Sequence, residues 1–119
     1  MTPPFELWLS AFALTLCVET PIYWLLLHRT LPPWWRPLVA SLGLNALTHP
    51  ALWYLFPYWE PYWAYVVVAE ASVTLVETCL LAALLQHWHV ARYRVVWLAP
   101  VSAVLANATS TLVGLLNIY

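Results

Sequence analysis

Three glutamates (Glu19, Glu70 and Glu77), one histidine (His49) and two asparagines (Asn45 and Asn107) stand inside long apolar stretches of this 119-residue chain. Carboxyl and imidazole groups are the side chains that move protons and hold metal ions. Placing them among apolar residues is costly: on the translocon scale a charged residue at the centre of a membrane helix costs about 2.5–3.5 kcal/mol. No Lys or Arg lies in the same stretches to neutralise them. The carboxyls must therefore be protonated, bound to a cation, paired with His49 as imidazolium, or hydrogen-bonded to the asparagines and nearby hydroxyls.

Two kinds of chemistry suit this set. As metal ligands, Glu19, His49 and Glu77 offer O, N and O donors, with Asn45, Asn107 or Glu70 completing the shell. Carboxylates with one imidazole favour Zn, Mn or Fe(II) over Mg or Ca. The spacing is neither the Glu-x-x-His pair of di-iron bundles nor His-Glu-x-x-His. With a proton in place of the metal, Glu19, Glu70 and Glu77 form a relay that Asn45 and Asn107 support. Pro21 and Pro50 each remove a helical hydrogen bond and free a carbonyl one turn back, at Cys17 and Ala46. Freed carbonyls near the midplane hold cations in many transporters.

The elements that position these groups follow from composition. Hydrophobic residues make up 64% of the chain and charged residues 8%, against about 25% charged in soluble domains. That is too little polar material to cover a soluble surface, which excludes a soluble enzyme, a disulfide scaffold and a disordered tail. With four Arg, no Lys and a net charge of −1 there is no basic patch for nucleic acid. The opening Met1-Thr2-Pro3-Pro4-Phe5-Glu6 has no positive region and does not read as a cleaved signal.

About 20 apolar residues span a bilayer as a helix. Residues 5–28, 38–57, 62–86 and 95–117 are expected to do so, giving an all-α integral membrane protein of four transmembrane helices in one domain, 1–119. Arg29, Arg36, Arg92 and Arg94 fall in the first and third connections, which the positive-inside rule makes cytoplasmic, with both termini outside. Trp34, Trp35, Trp88, Tyr93 and Trp97 read as an inner aromatic belt. Trp8, Trp53, Tyr54, Tyr58, Trp59, Tyr62 and Trp63 read as an outer one. Cys17 and Cys79 are expected as small buried apolar residues.

The first and third spans share Thr15-Leu16-Cys17-Val18-Glu19-Thr20 and Thr74-Leu75-Val76-Glu77-Thr78. The second and fourth share Leu44-Asn45-Ala46-Leu47-Thr48 and Ala106-Asn107-Ala108-Thr109-Ser110. Two tandem hairpins related by a pseudo-twofold along the membrane normal would place Glu19 opposite Glu77. Counting from the cytoplasmic ends puts Glu19 and Glu77 about 14 Å deep, His49 about 17 Å and Asn107 about 18 Å. Helical spacing puts Ala11, Thr15 and Glu19 on one face, as it does Ser41, Asn45, Thr48 and His49 on the second span. Glu70, Thr74 and Glu77 share a face on the third. The fourth carries a ridge of Ala103, Ala106, Asn107, Ser110 and Gly114 suited to close helix approach.

The leading expectation is a small bacterial inner-membrane protein that binds, and translocates, a proton or divalent metal ion. Four spans make a thin wall around a path, so a homo-oligomer is expected, with Gly43 and Gly114 as interface residues. The alternative is a non-catalytic accessory subunit of a larger membrane complex, whose polar cluster only fixes helix packing. Single-His pigment ligation and an intramembrane metal-dependent hydrolase are lesser readings. A bis-His haem lacks its second mid-span histidine, since His28, His87 and His89 belong to span ends.

Overall fold

The computed structural model describes residues 4–118, the last two by backbone alone. Met1, Thr2 and Pro3 of the opening segment lie outside the described residues. Four helices follow in order: α1 (Phe5–Leu27), α2 (Trp35–Tyr54), α3 (Tyr62–His87) and α4 (Arg92–Ile118). α1 packs against α2 and α4, and α3 packs against the same two. Among the described residues α1 and α3 make no close backbone contact, so they take opposite corners of the bundle. The bundle is 43 Å long, which matches the roughly 40–45 Å of a bilayer with its headgroups.

Three helices, α1, α3 and α4 as far as Leu116, are long and apolar enough to cross a membrane. α2 is not apolar enough, because its 20 residues include Arg36, Ser41, Asn45, Thr48 and His49. Leu25, Leu42, Leu47, Leu75, Val96 and Leu112 are exposed on the outside of the bundle, where a lipid-facing surface is apolar. Cys17 and Cys79 are exposed there as well. The expectation that they are buried is thereby overturned: in lipid the outer face needs small apolar side chains as much as the interior does.

Helix ends follow local chemistry. α2 begins at Trp35 and ends at Tyr54, not over 38–57. Pro37 lies in its first turn, where a missing N–H costs no helical bond. α3 ends on a double-bonded stop: His89 N–H donates to Gln86 O at 3.0 Å, and Val90 N–H donates to Leu85 O at 2.9 Å. His89 holds φ 64°, a left-handed conformation usually left to Gly. This tight stop lets α4 start at Arg92 rather than at 95, and gives the His87-Trp88-His89 triplet a role in turning the chain.

The apolar core is confined to one half. Tyr23, Leu27, Leu44, Leu81, Leu85 and Leu98 are almost fully buried and pack together at the end that carries Arg29, Arg36, Arg92 and Arg94. Arg36 lies over the Trp35 ring (5.6 Å) and the Trp88 ring (5.4 Å), closing that end with cation–π contacts. The other half is hollow.

Candidate functional site

A cavity of about 500 Å³ occupies the hollow half, lined by all four helices. It begins among Leu7, Tyr62 and Leu115 and ends in mid-bundle at Glu19, Glu77 and Asn107. On α1, Leu7 to Glu19 corresponds to about 18 Å of depth. Beyond the carboxyls, Tyr23 and the leucine cluster fill the bundle. The cavity is therefore a blind one, partly open at the end opposite the arginines.

Glu77 is the hub of its floor. Tyr23 Oη donates to Glu77 Oε1 at 3.0 Å, and Asn107 Nδ2 donates to the same oxygen at 2.9 Å. Thr48 Oγ1 lies 2.6 Å from Glu77 Oε2 and 2.9 Å from Leu44 O. A hydroxyl has one hydrogen to give. Thr48 therefore either donates to a Glu77 carboxylate, or donates to Leu44 O and accepts the proton of a neutral Glu77. Oε1, which already receives two donors, is the oxygen without the proton in both cases.

Glu19 repeats half of this arrangement. Ser110 Oγ stands 2.5 Å from Glu19 Oε2 and 3.1 Å from Asn107 O, so it has the same two options. Asn45 lies beside the Glu19 carboxyl, and its Nδ2 donates to Ser41 O at 2.9 Å. Glu19 Oε1, by contrast, is buried without a hydrogen-bond partner. Glu19 and Glu77 are close enough to feel each other's charge. Glu70 lines the cavity nearer its mouth, across from Thr111.

His49 is placed differently. It is 8% exposed, one ring nitrogen is 3.3 Å from Thr15 Oγ1, and the other has no partner. Around it stand the rings of Phe12 (5.3 Å), Trp53 (6.1 Å) and Trp8 (6.3 Å). Trp8 and Trp53 thus build a box around the imidazole in addition to lying near the span ends. Among the described residues no three His, Cys or Glu side chains converge to hold a metal ion. Glu19 and Glu77 come together, and His49 faces rings.

His49 still lines the same cavity as the carboxyls, whereas other expected contributors lie elsewhere. Cys17 and Ala46, whose carbonyls Pro21 and Pro50 free, are exposed on the outside of the bundle. Gly114 lines the cavity, with open space where a Cβ would point, while Gly43 is exposed. Gly114 is therefore a wall residue of the cavity.

The residue that spacing alone did not single out is Tyr23. It lies one turn after Glu19 on the same face, a signal available in the sequence, but it reaches across to Glu77 on α3. In the connection between α2 and α3, Tyr58 Oη donates to Glu60 Oε1 at 3.0 Å, and this bond to an acidic partner pushes the Tyr58 phenol up from its usual value. Compared with family models, curated proteins and solved structures, the chain matches none of them.

Proposed function

We infer that the protein is a membrane-embedded proton-binding unit, in which Glu19 and Glu77 take up and release a proton reached from the end of the bundle opposite the arginines. The observation that carries this reading is the cavity that runs inward to these two carboxyls and stops at the packed cluster beyond them. Thr48 and Ser110 support it, because each can serve either protonation state by turning one hydroxyl hydrogen. Glu70, between mouth and floor, is the relay residue. A resident Zn, Mn or Fe has less support, because His49 faces Thr15 and three aromatic rings while the carboxyls are held by neutral donors.

The two-hairpin repeat is part of this proposal. Thr48 serves Glu77 as Ser110 serves Glu19, and Asn45 and Asn107 each bond the carbonyl one turn back, at Ser41 and Ala103. An inner-membrane orientation with the arginines cytoplasmic is proposed on the charge bias. It requires α2, about 30 Å long, to cross as well. In a Cys17→Ala/Cys79→Ala background, Trp59→Cys is expected to react with an impermeant maleimide on intact cells. Thr30→Cys is expected to react only after lysis. Labelling of both from the same side would mean that α2 does not cross.

Infrared difference spectra between acidic and alkaline buffer test the proton site. A buried carboxylic-acid band is expected to change with pH, and Glu19→Gln and Glu77→Gln should each remove part of it. A pH-dependent spectrum identical in wild type and both variants would overturn the reading. A second reading, an accessory subunit whose cluster fixes packing, is favoured by the three partners, from α1, α2 and α4, that hold Glu77. It predicts no pH-dependent change at these two carboxyls.

A further inference from the structure

The cavity is far larger than a proton or a bare ion requires. About 500 Å³ falls within the 300–1,000 Å³ typical of sites for small organic molecules. Its walls are the side chains of an apolar site, with Leu14, Leu52, Val66 and Val73 among them. Trp53 and Tyr65 add aromatic faces of the kind that attract organic cations.

Charge is distributed to match. Every arginine lies at the packed end of the bundle, and no arginine lines the cavity. Glu6 and Glu60 lie toward the mouth end, Glu70 lies partway down, and Glu19 and Glu77 form the floor. An entering cation meets acidic groups at each stage, and each of them that is ionised repels an anion.

The floor also has one unmet demand. Both oxygens of Glu77 have partners, in Tyr23, Thr48 and Asn107, but Glu19, 1% exposed, has one oxygen with no partner. A single carboxylate with a free acceptor calls for one positive charge or one N–H donor.

We propose that the cavity binds an organic monocation with an apolar or aromatic body, its charge seated against Glu19 and its body between Leu52, Trp53, Tyr65 and Val66. This rests on the proton-binding reading, since the ligand replaces the proton of Glu19. The carboxyl O–H bond breaks, the proton leaves to water, and the organic cation takes over neutralisation of the carboxylate. Binding and protonation therefore compete. Affinity rises as pH rises, and each binding event releases one proton.

The test uses tetraphenylphosphonium, a permanent cation with an aromatic body, and the uncharged triphenylphosphine oxide, with protein in detergent micelles. Calorimetry in buffers of different ionisation enthalpy reads affinity and proton release together. Saturable tetraphenylphosphonium binding is expected, with release of about one proton, and with affinity at least tenfold weaker in Glu19→Gln; that factor corresponds to about 1.4 kcal/mol. Triphenylphosphine oxide is expected to bind at least tenfold more weakly than the cation.

Equal binding of the neutral compound would overturn the proposal and make the cavity a site for uncharged lipidic molecules. Unsaturable or variant-independent uptake would also overturn it, as partition into micelles. Absence of tetraphenylphosphonium binding in a protein whose infrared band still titrates would overturn the ligand alone and leave the proton site standing. A band that does not titrate would overturn both. Circular dichroism melts of Glu19→Gln check that weaker binding does not come from unfolding.

Discussion

Tyr23→Ala is expected to destabilise the protein by about 3–5 kcal/mol, the range for removing a large buried aromatic side chain. Tyr23 has no exposed surface, and it belongs to a buried cluster with leucines from all four helices in the half of the bundle that is filled. Tyr23→Phe keeps the ring and removes only the donor to Glu77 Oε1, which retains Asn107. Its cost is expected to be about 1 kcal/mol, that of one hydrogen bond whose acceptor keeps a second partner. Thermal unfolding in detergent, followed by circular dichroism, measures both. Equal losses in the two variants would mean that the hydroxyl, and not the packing of the ring, sets the stability of this region.

The second large effect concerns Glu77. Glu77→Ala leaves the fully buried Tyr23 hydroxyl and one Asn107 N–H without an acceptor, while Thr48 and the other Asn107 N–H keep their bonds to Leu44 O and Ala103 O. Each orphaned donor is expected to cost about 1–3 kcal/mol. Glu77→Gln is expected to be close to neutral, because the geometry accepts it. The glutamine oxygen takes the place of Oε1 with its two donors, and its amide donates to Thr48 Oγ1, which turns its hydrogen to Leu44 O.

The cycle with Tyr23→Phe isolates the cause. Tyr23→Phe/Glu77→Ala should recover part of the Glu77→Ala loss, because no hydroxyl is left unpaired. A double variant whose losses simply add would show that the Tyr23–Glu77 bond contributes nothing. Stability that falls as far in Glu77→Gln as in Glu77→Ala would point to the carboxylate charge itself as the source.

Much of the bundle could be read from the chain because its signals are local. Apolar runs of sufficient length set the helices, and i, i+4 spacing put Glu19, Asn45, Thr48, Glu77 and Asn107 on inward faces, where the structure buries or half-buries the polar stripe of each helix. α2 was harder, since the stripe that makes it useful also lowers its apolar content below that of its neighbours. Sequence depth groups His49 with the carboxyls, because depth counts residues along an axis and says nothing of rotation. Depth placed it beside Glu19 and Glu77, but its direction is set by Thr15, Phe12 and Trp53. The cysteines were misplaced for a related reason: an apolar residue in a membrane helix faces lipid as readily as it faces the core.

The sequence by itself determined a helical membrane protein with acidic groups at mid-depth and arginines at one end, because hydrophobicity, helical period and charge position are properties of the chain alone. Only the tertiary structure decided that one half is packed and the other hollow, that Tyr23 crosses from α1 to Glu77, and that Glu19 keeps an unpaired oxygen. Those outcomes depend on how side chains from four helices fill a shared interior. The volume left over, and the acceptor left unmet, exist only once all four are in place.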